Sequence, residues 1–221
     1  MPCRTESIRY RNQYCCRRLI FVHTHKKYKE ETIICETGNI IYREPVVEDA
    51  GKIVDFYNYV GGETFYLSYE KDEYPMNEEQ QREDILSTNA HPACIMILAM
   101  DWQEIAGIGT IHSGNKIKSR HQGELGIVVA KKYQKKGIGS EIIRRLIDFC
   151  KENGITTRIQ LDTLCANEVA VKLYEKFGFR KLCTFPGFFK INGELIDFDF
   201  MNLDICSTVQ TDGKSHSENG I

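Results

Sequence analysis

The stretch Glu124–Ser140, ELGIVVAKKYQKKGIGS, constrains this 221-residue chain more than any other. A strand-like run, Glu124–Ala130, feeds a basic loop; two glycines follow, and an amphipathic helix begins at once. Successive backbone N–H groups at a helix start point toward a common centre, and the helix dipole adds partial positive charge there. Glycine at 137 and 139 lets an anion approach the main chain with no Cβ in the way. Lys131, Lys132, Lys135 and Lys136 raise the local positive potential. The segment reads as a phosphate cradle set between a strand and a helix.

The rest of the chain is punctuated in the same way. Asn39–Arg43 reads as a first strand, and Ile53, Phe56, Tyr57 and Val60 fall on one helical face. Asn77 and Gln80 have capping-box spacing at the head of a second, polar helix ending near Ser87. Ala93–Met100 and Ile105–Ile111 are apolar strands joined by a turn at Asp101-Trp102. Gly137–Lys151 is a helix whose buried stripe is Ile138, Ile142, Ile143, Leu146, Ile147 and Cys150, stopped by Asn153-Gly154. A strand over Arg158–Leu164, a helix from Asn167 and a hairpin at Asn192-Gly193 complete the chain. The order is β-αα-βββ-α-β-α-ββ, an α+β (mixed α/β) chain.

Two nucleotide-binding patterns compete for the cradle. An ATP-type loop needs lysine then serine or threonine directly after its last glycine, whereas Ile138 and Ser140 flank Gly139. A dinucleotide fingerprint fits Gly137 and Gly139 and offers Asp162 as a ribose acid, but Ile142 stands at its third glycine. The six residues Lys131–Lys136 also make its turn too long.

Gln134-Lys135-Lys136-Gly137-Ile138-Gly139 resembles the Gln/Arg-x-x-Gly-x-Gly/Ala signature of the GNAT N-acetyltransferase superfamily. A second match is Asn167 followed by Ala-x-x-Leu-Tyr-x-Lys-x-Gly-Phe, complete through Phe179. The similarity covers about residues 39–206. It implies a GNAT acyltransferase fold, a central mixed, mostly antiparallel sheet flanked by helices, with acetyl-CoA as cosubstrate and no metal. By the same resemblance, Gln134 and the amides of Lys135, Lys136, Gly137, Ile138, Gly139 and Ser140 would hold the pyrophosphate. Pantetheine would pair along Ile127, Val128 and Val129, Asn167 would steady the cofactor, and Tyr174 would donate its hydroxyl hydrogen to the departing thiolate. Read as structure alone, Asn167 is a helix cap and Tyr174 one member of an apolar stripe with Val169, Ala170, Leu173 and Phe177.

An ammonium must lose a proton before it can attack. Glu124 is the first candidate base, with His121 and Glu63 as weaker ones; Glu63, Phe65, Tyr66, Tyr69 and His121 are the expected acceptor-pocket residues. Cys165 lacks an adjacent histidine, and the resemblance implies direct transfer in a ternary complex rather than an acylated thiol. The expected acceptor is the primary amine of a small molecule. The alternatives are a protein N-terminus or lysine, or a non-catalytic acyl-CoA sensor.

Composition narrows the remaining classes. A net charge of −2 offers no whole-chain attraction to nucleic acid or membrane, and no apolar run has bilayer length. Nine cysteines without framework spacing, and no signal-like opening, lead to an expectation of a reducing cytoplasm. Cys15-Cys16 with His23 and His25 lacks zinc-knuckle spacing. Residues 1–37, rich in arginine and lysine, are expected to be a loosely ordered extension, and 207–221 a disordered polar tail. The edge strands and the final hairpin offer surfaces for a homodimer.

Overall fold

The computed structural model describes residues 19–21, 31–35, 38–191 and 193–205. Within them, apolar runs and their breaks become nine strands and four α-helices. β1 (Leu19–Phe21) and β2 (Glu31–Cys35) precede β3 (Gly38–Arg43); α1 (Ala50–Gly61) and α2 (Glu78–Ala90) follow. Next come β4 (Ile95–Asp101), β5 (Glu104–Ser113), β6 (Gln122–Val129), α3 (Ile138–Glu152), β7 (Arg158–Leu164), α4 (Glu168–Lys176), β8 (Arg180–Ile191) and β9 (Glu194–Asp204). From β3 onward this is the order expected from the sequence, in an α+β fold. β1 and β2 lie inside the stretch expected to be an extension. The β-branched run Thr32-Ile33-Ile34 pairs with Asn39-Ile40-Ile41 on β3. Cys15, Cys16, His23, His25 and the polar tail from 206 lie outside the described residues.

The strands form one sheet in the order β1-β2-β3-β4-β5-β6-β7-β9-β8. Every neighbouring pair is antiparallel except β6 and β7, which α3 joins by a crossover. Both faces of the sheet centre are covered, so β4 is a continuous apolar run rather than an alternating one: Ile95 through Met100 are all buried.

The expected stripe of α3 is the core-facing one, and all six of its residues are buried. Each large aliphatic member contributes about 1.5–3 kcal/mol on leaving water. The helix sits close because β5 carries glycine beneath it. A Cβ at Gly109 would overlap Ile142 Cγ2, and one at Gly107 would lie 3.2 Å from Ile142 Cδ1. Arg145, on the same helix, is fully buried, with its guanidinium 2.7 Å from Glu141 Oε1 and 4.7 Å from the centre of the Tyr42 ring.

Local signals end the elements as well. Asn77 Oδ1 accepts the Gln80 N–H at 3.0 Å and Gln80 Oε1 accepts the Asn77 N–H at 2.9 Å, closing the capping box of α2. Trp102, at φ +55°, turns β4 into β5, and Gly193, at φ +88°, lies in the β8–β9 turn. No helix among the described residues is long and apolar enough to cross a membrane.

Candidate active site

β6 and β7 hydrogen-bond only at their beginnings, Gln122–Glu124 against Arg158–Gln160. Beyond Glu124 they part, although β6 stays on β5 to Val129 and β7 stays on β9 to Leu164. An opening therefore lies in the middle of the sheet, with main-chain groups along one wall. The Ala130 N–H donates to Ala106 O at 3.1 Å, which sets the antiparallel alternation. Val128, opposite Ile108, thus gives its peptide groups to β5, while Ile127 and Val129 turn theirs toward the opening. Gln134 Nε2 takes up one of them, donating to Val129 O at 3.1 Å.

The cradle stands at the outer end of that wall. Lys135 (φ +61°) and Gly137 (φ +82°) both adopt the left-handed conformation, and the reversal they make presents the loop's amides at the head of α3. Gly137 is the cap residue and supplies no side chain. The first amide with an internal acceptor is that of Glu141, 3.0 Å from Gly137 O. The six amides from Lys135 to Ser140 make no hydrogen bond among the described residues. Ile138 offers the cradle only its amide, since its side chain is core. Two of the four lysines are held elsewhere: Lys132 pairs with Glu104, and the Lys136 ammonium lies 5.2 Å from the centre of the Tyr133 ring.

On the far wall, Asn167 Oδ1 accepts the Ala170 N–H at 3.3 Å and starts α4, so it is a cap that also lines the cleft. Two turns on, Tyr174 is 7% exposed and packs edge-on against Phe179, with ring centres 5.9 Å apart. Burial, then the negative charge of Asp162, push its phenol up to about 12, so it is a protonated donor at neutral pH. Cys165, beside the turn into α4, bonds to Asp199; burial and that carboxylate push its thiol up to about 11. A nucleophile needs the opposite shift.

The opening continues into a cleft of about 1220 Å³. Glu124, Phe65 and Tyr66 line it, and the Tyr66 hydroxyl reaches across the mouth to within 3.5 Å of Ala166 O. Glu63 and His121 are not brought there. The Glu63 carboxylate instead accepts the Lys131 N–H at 2.8 Å and bonds the Tyr59 hydroxyl. His121 sits at the paired end of β6, its carbonyl taking the Thr157 and Arg158 amides, away from the opening.

Apart from Tyr69, the residues of three cleft features were not read from the sequence as acceptor-site residues. Asp162, on β7, faces the cleft two residues past the last β6–β7 pair; burial and the charge of Glu124 raise its carboxyl above the usual range. Tyr57, Tyr69 and Tyr74 form an aromatic wall, with Tyr57 and Tyr74 stacked at 4.5 Å. Phe189 and Phe198 of the final hairpin close another side, 5.5 Å apart. The alternation of β7 was available as a signal for Asp162. No comparable periodicity marked Tyr74. Among the described residues no group of His, Cys, Asp and Glu is arranged to hold a metal ion.

Residues 61–179, more than half of the chain, match the model of the acetyltransferase (GNAT) family. The chain belongs to the GNAT family. That stretch runs from the end of α1 to Phe179, through the cradle, the opening and the Tyr174 helix. An acetyltransferase of the GNAT family from Streptococcus pneumoniae has the same fold, with a TM-score of 0.73 and 30% identity over 76% of this chain and 99% of that one. The Salmonella typhimurium putative acetyltransferase yncA, solved with acetyl-CoA, superposes with a TM-score of 0.68 at 17% identity, covering 80% of this chain and all of that one. L-amino acid N-acetyltransferase AaaT of Escherichia coli is 29% identical over 98 residues, 44% of this GNAT chain and 60% of the relative. N-alpha-acetyltransferase 50 of Danio rerio is 31% identical over 58 residues, 26% of this chain and 34% of the relative. The chain thus spans under two thirds of the length of these curated relatives.

Proposed function

We propose that this GNAT protein is an acetyl-CoA-dependent N-acetyltransferase that moves the acetyl group directly to a primary amine of a small molecule within a ternary complex. Its observational basis is the continuity of the unpartnered amides of Lys135–Ser140 with the open edge of β6, leading to the buried phenol of Tyr174. The amides and Ser140 would hold the diphosphate, with Lys135 adding charge from the cleft wall. Ile127 and Val129 would pair with the amide-bearing arm as an added strand does. Acetyl-CoA supplies a thioester, whose acyl carbon accepts the amine and whose sulfur leaves.

Tyr174 would donate its O–H to that sulfur as negative charge builds there. The acceptor ammonium must first give up a proton, which a carboxylate lining the cleft, such as Glu124, would take. The Tyr66 strap toward Ala166 narrows the mouth, which favours a small acceptor over a folded protein surface.

A thiol-release screen with acetyl-CoA against a library of primary amines tests this reading. Saturable release with one class of amine is the expected outcome. Tight coenzyme A binding without release for any amine would replace the enzyme by an acyl-CoA sensor.

A further inference from the structure

The acceptor side of the cleft carries carboxylates that no ion pair among the described residues neutralises. Glu124 and Asp162 lie on the same face of β6 and β7, at and just beyond the point where the strands part, while their neighbours Leu125 and Leu161 are buried beneath the sheet. Neither carboxylate has a hydrogen bond or ion pair among the described residues. Burial, and then the charge of Glu124, raises the carboxyl of Asp162. Glu70 and Glu73 add acidic groups on the same cleft, beside the Tyr57, Tyr69 and Tyr74 wall whose ring faces also attract cations. Among the described residues no arginine or histidine lines the cleft. Its lysines are Lys135 in the cradle, Lys172 and Lys176 on α4, and Lys190 on the hairpin. Beside Glu124 and Asp162 a carboxylate-bearing acceptor would meet repulsion, whereas a cation would relieve it.

Resting on the acetyltransferase reading, we propose that the acceptor is an amine carrying a second positive charge, which Glu124 holds while Asp162 takes the proton of the reacting nitrogen. The division of labour follows from position. Glu124 stands at the closed end of the opening, and Asp162 lies further along β7, toward the end that leads into α4 and Tyr174. Asp162 is also the carboxylate whose charge bears on Tyr174.

The N–H bond of the ammonium breaks with its electron pair left on nitrogen, and the proton goes to Asp162. That pair forms the N–C bond to the acyl carbon, the C–S bond breaks, and sulfur takes the Tyr174 hydroxyl proton. The second proton of the new C–N group restores Tyr174, and Asp162 releases its own to solvent, leaving an amide, a thiol and one proton. Protonating Asp162 removes one of the two causes that hold the Tyr174 phenol high, so taking the first proton makes Tyr174 a better donor to sulfur.

The test is thiol release from acetyl-CoA by the full chain with 1,4-diaminobutane, 1-aminobutane and L-leucine as probes. The diamine is expected to exceed both others in kcat/KM by about tenfold or more. Glu124→Gln should bring the diamine-to-monoamine ratio close to one through a raised KM for the diamine, and Asp162→Asn should lower kcat for the diamine. Equal or faster release with 1-aminobutane or L-leucine, or a ratio that survives Glu124→Gln, overturns the proposal. If none of the three is acetylated but another amine in the library is, the dicationic class is wrong and the acetyltransferase reading stands. Silence with every amine overturns both.

Discussion

Tyr174→Phe is expected to lower turnover about a hundredfold while leaving coenzyme A affinity and the melting temperature nearly unchanged. The ring keeps its edge-on contact with Phe179 and its place against the core, so only the hydroxyl is removed. With no O–H to meet the charge building on sulfur, the barrier to thiolate departure rises, whereas the ground-state grip at the cradle is untouched. Steady-state kinetics with the amine found in the screen, alongside calorimetry, separate the two effects. A variant that turns over at the wild-type rate removes Tyr174 from the chemistry. One that loses coenzyme A binding makes it a packing residue instead.

Gly139→Val is expected to weaken coenzyme A binding about ten- to a hundredfold. A Cβ at position 139 would sit 3.6 Å from Leu173 Cδ2, 3.7 Å from Val129 Cγ2 and 3.9 Å from Ile127 Cδ1, all ordinary contacts. An alanine therefore fits the free protein. The branches of valine would enter the space between β6 and α4, which the proposed ligand would cross from the cradle amides toward Tyr174. Thermal melting of the free variant close to that of the parent, with a weakened binding isotherm, is the expected pair of results. Unchanged affinity would place the ligand elsewhere.

The parts of this fold that could be read from sequence are those with local causes. The capping box at Asn77 and Gln80, the paired glycines at 137 and 139, and the Asn192-Gly193 break each act within a few residues, and each marks an element boundary in or beside the segment where it was read. The α3 stripe was legible because burial follows a 3.6-residue period. What stayed hidden depends on partners distant in the chain. An acid on an exposed strand face looks the same whether it meets water or, like Asp162, a second carboxylate across an opening. Glu63 looked available as a loop carboxylate until the fold brought the Lys131 amide to it from 68 positions away. Arg145 occupies a core position because Glu141 and the Tyr42 ring accompany it there, and the ring belongs to β3, not to the helix.

Amide hydrogen exchange, followed residue by residue with and without coenzyme A, tests the central claim most directly. In the free protein the amides of residues 135–140 lack internal acceptors and should exchange fast. Bound coenzyme A should slow them by about tenfold or more, together with those of Ile127 and Val129 on the open edge of β6. Binding that leaves exchange at 135–140 unchanged would contradict the account.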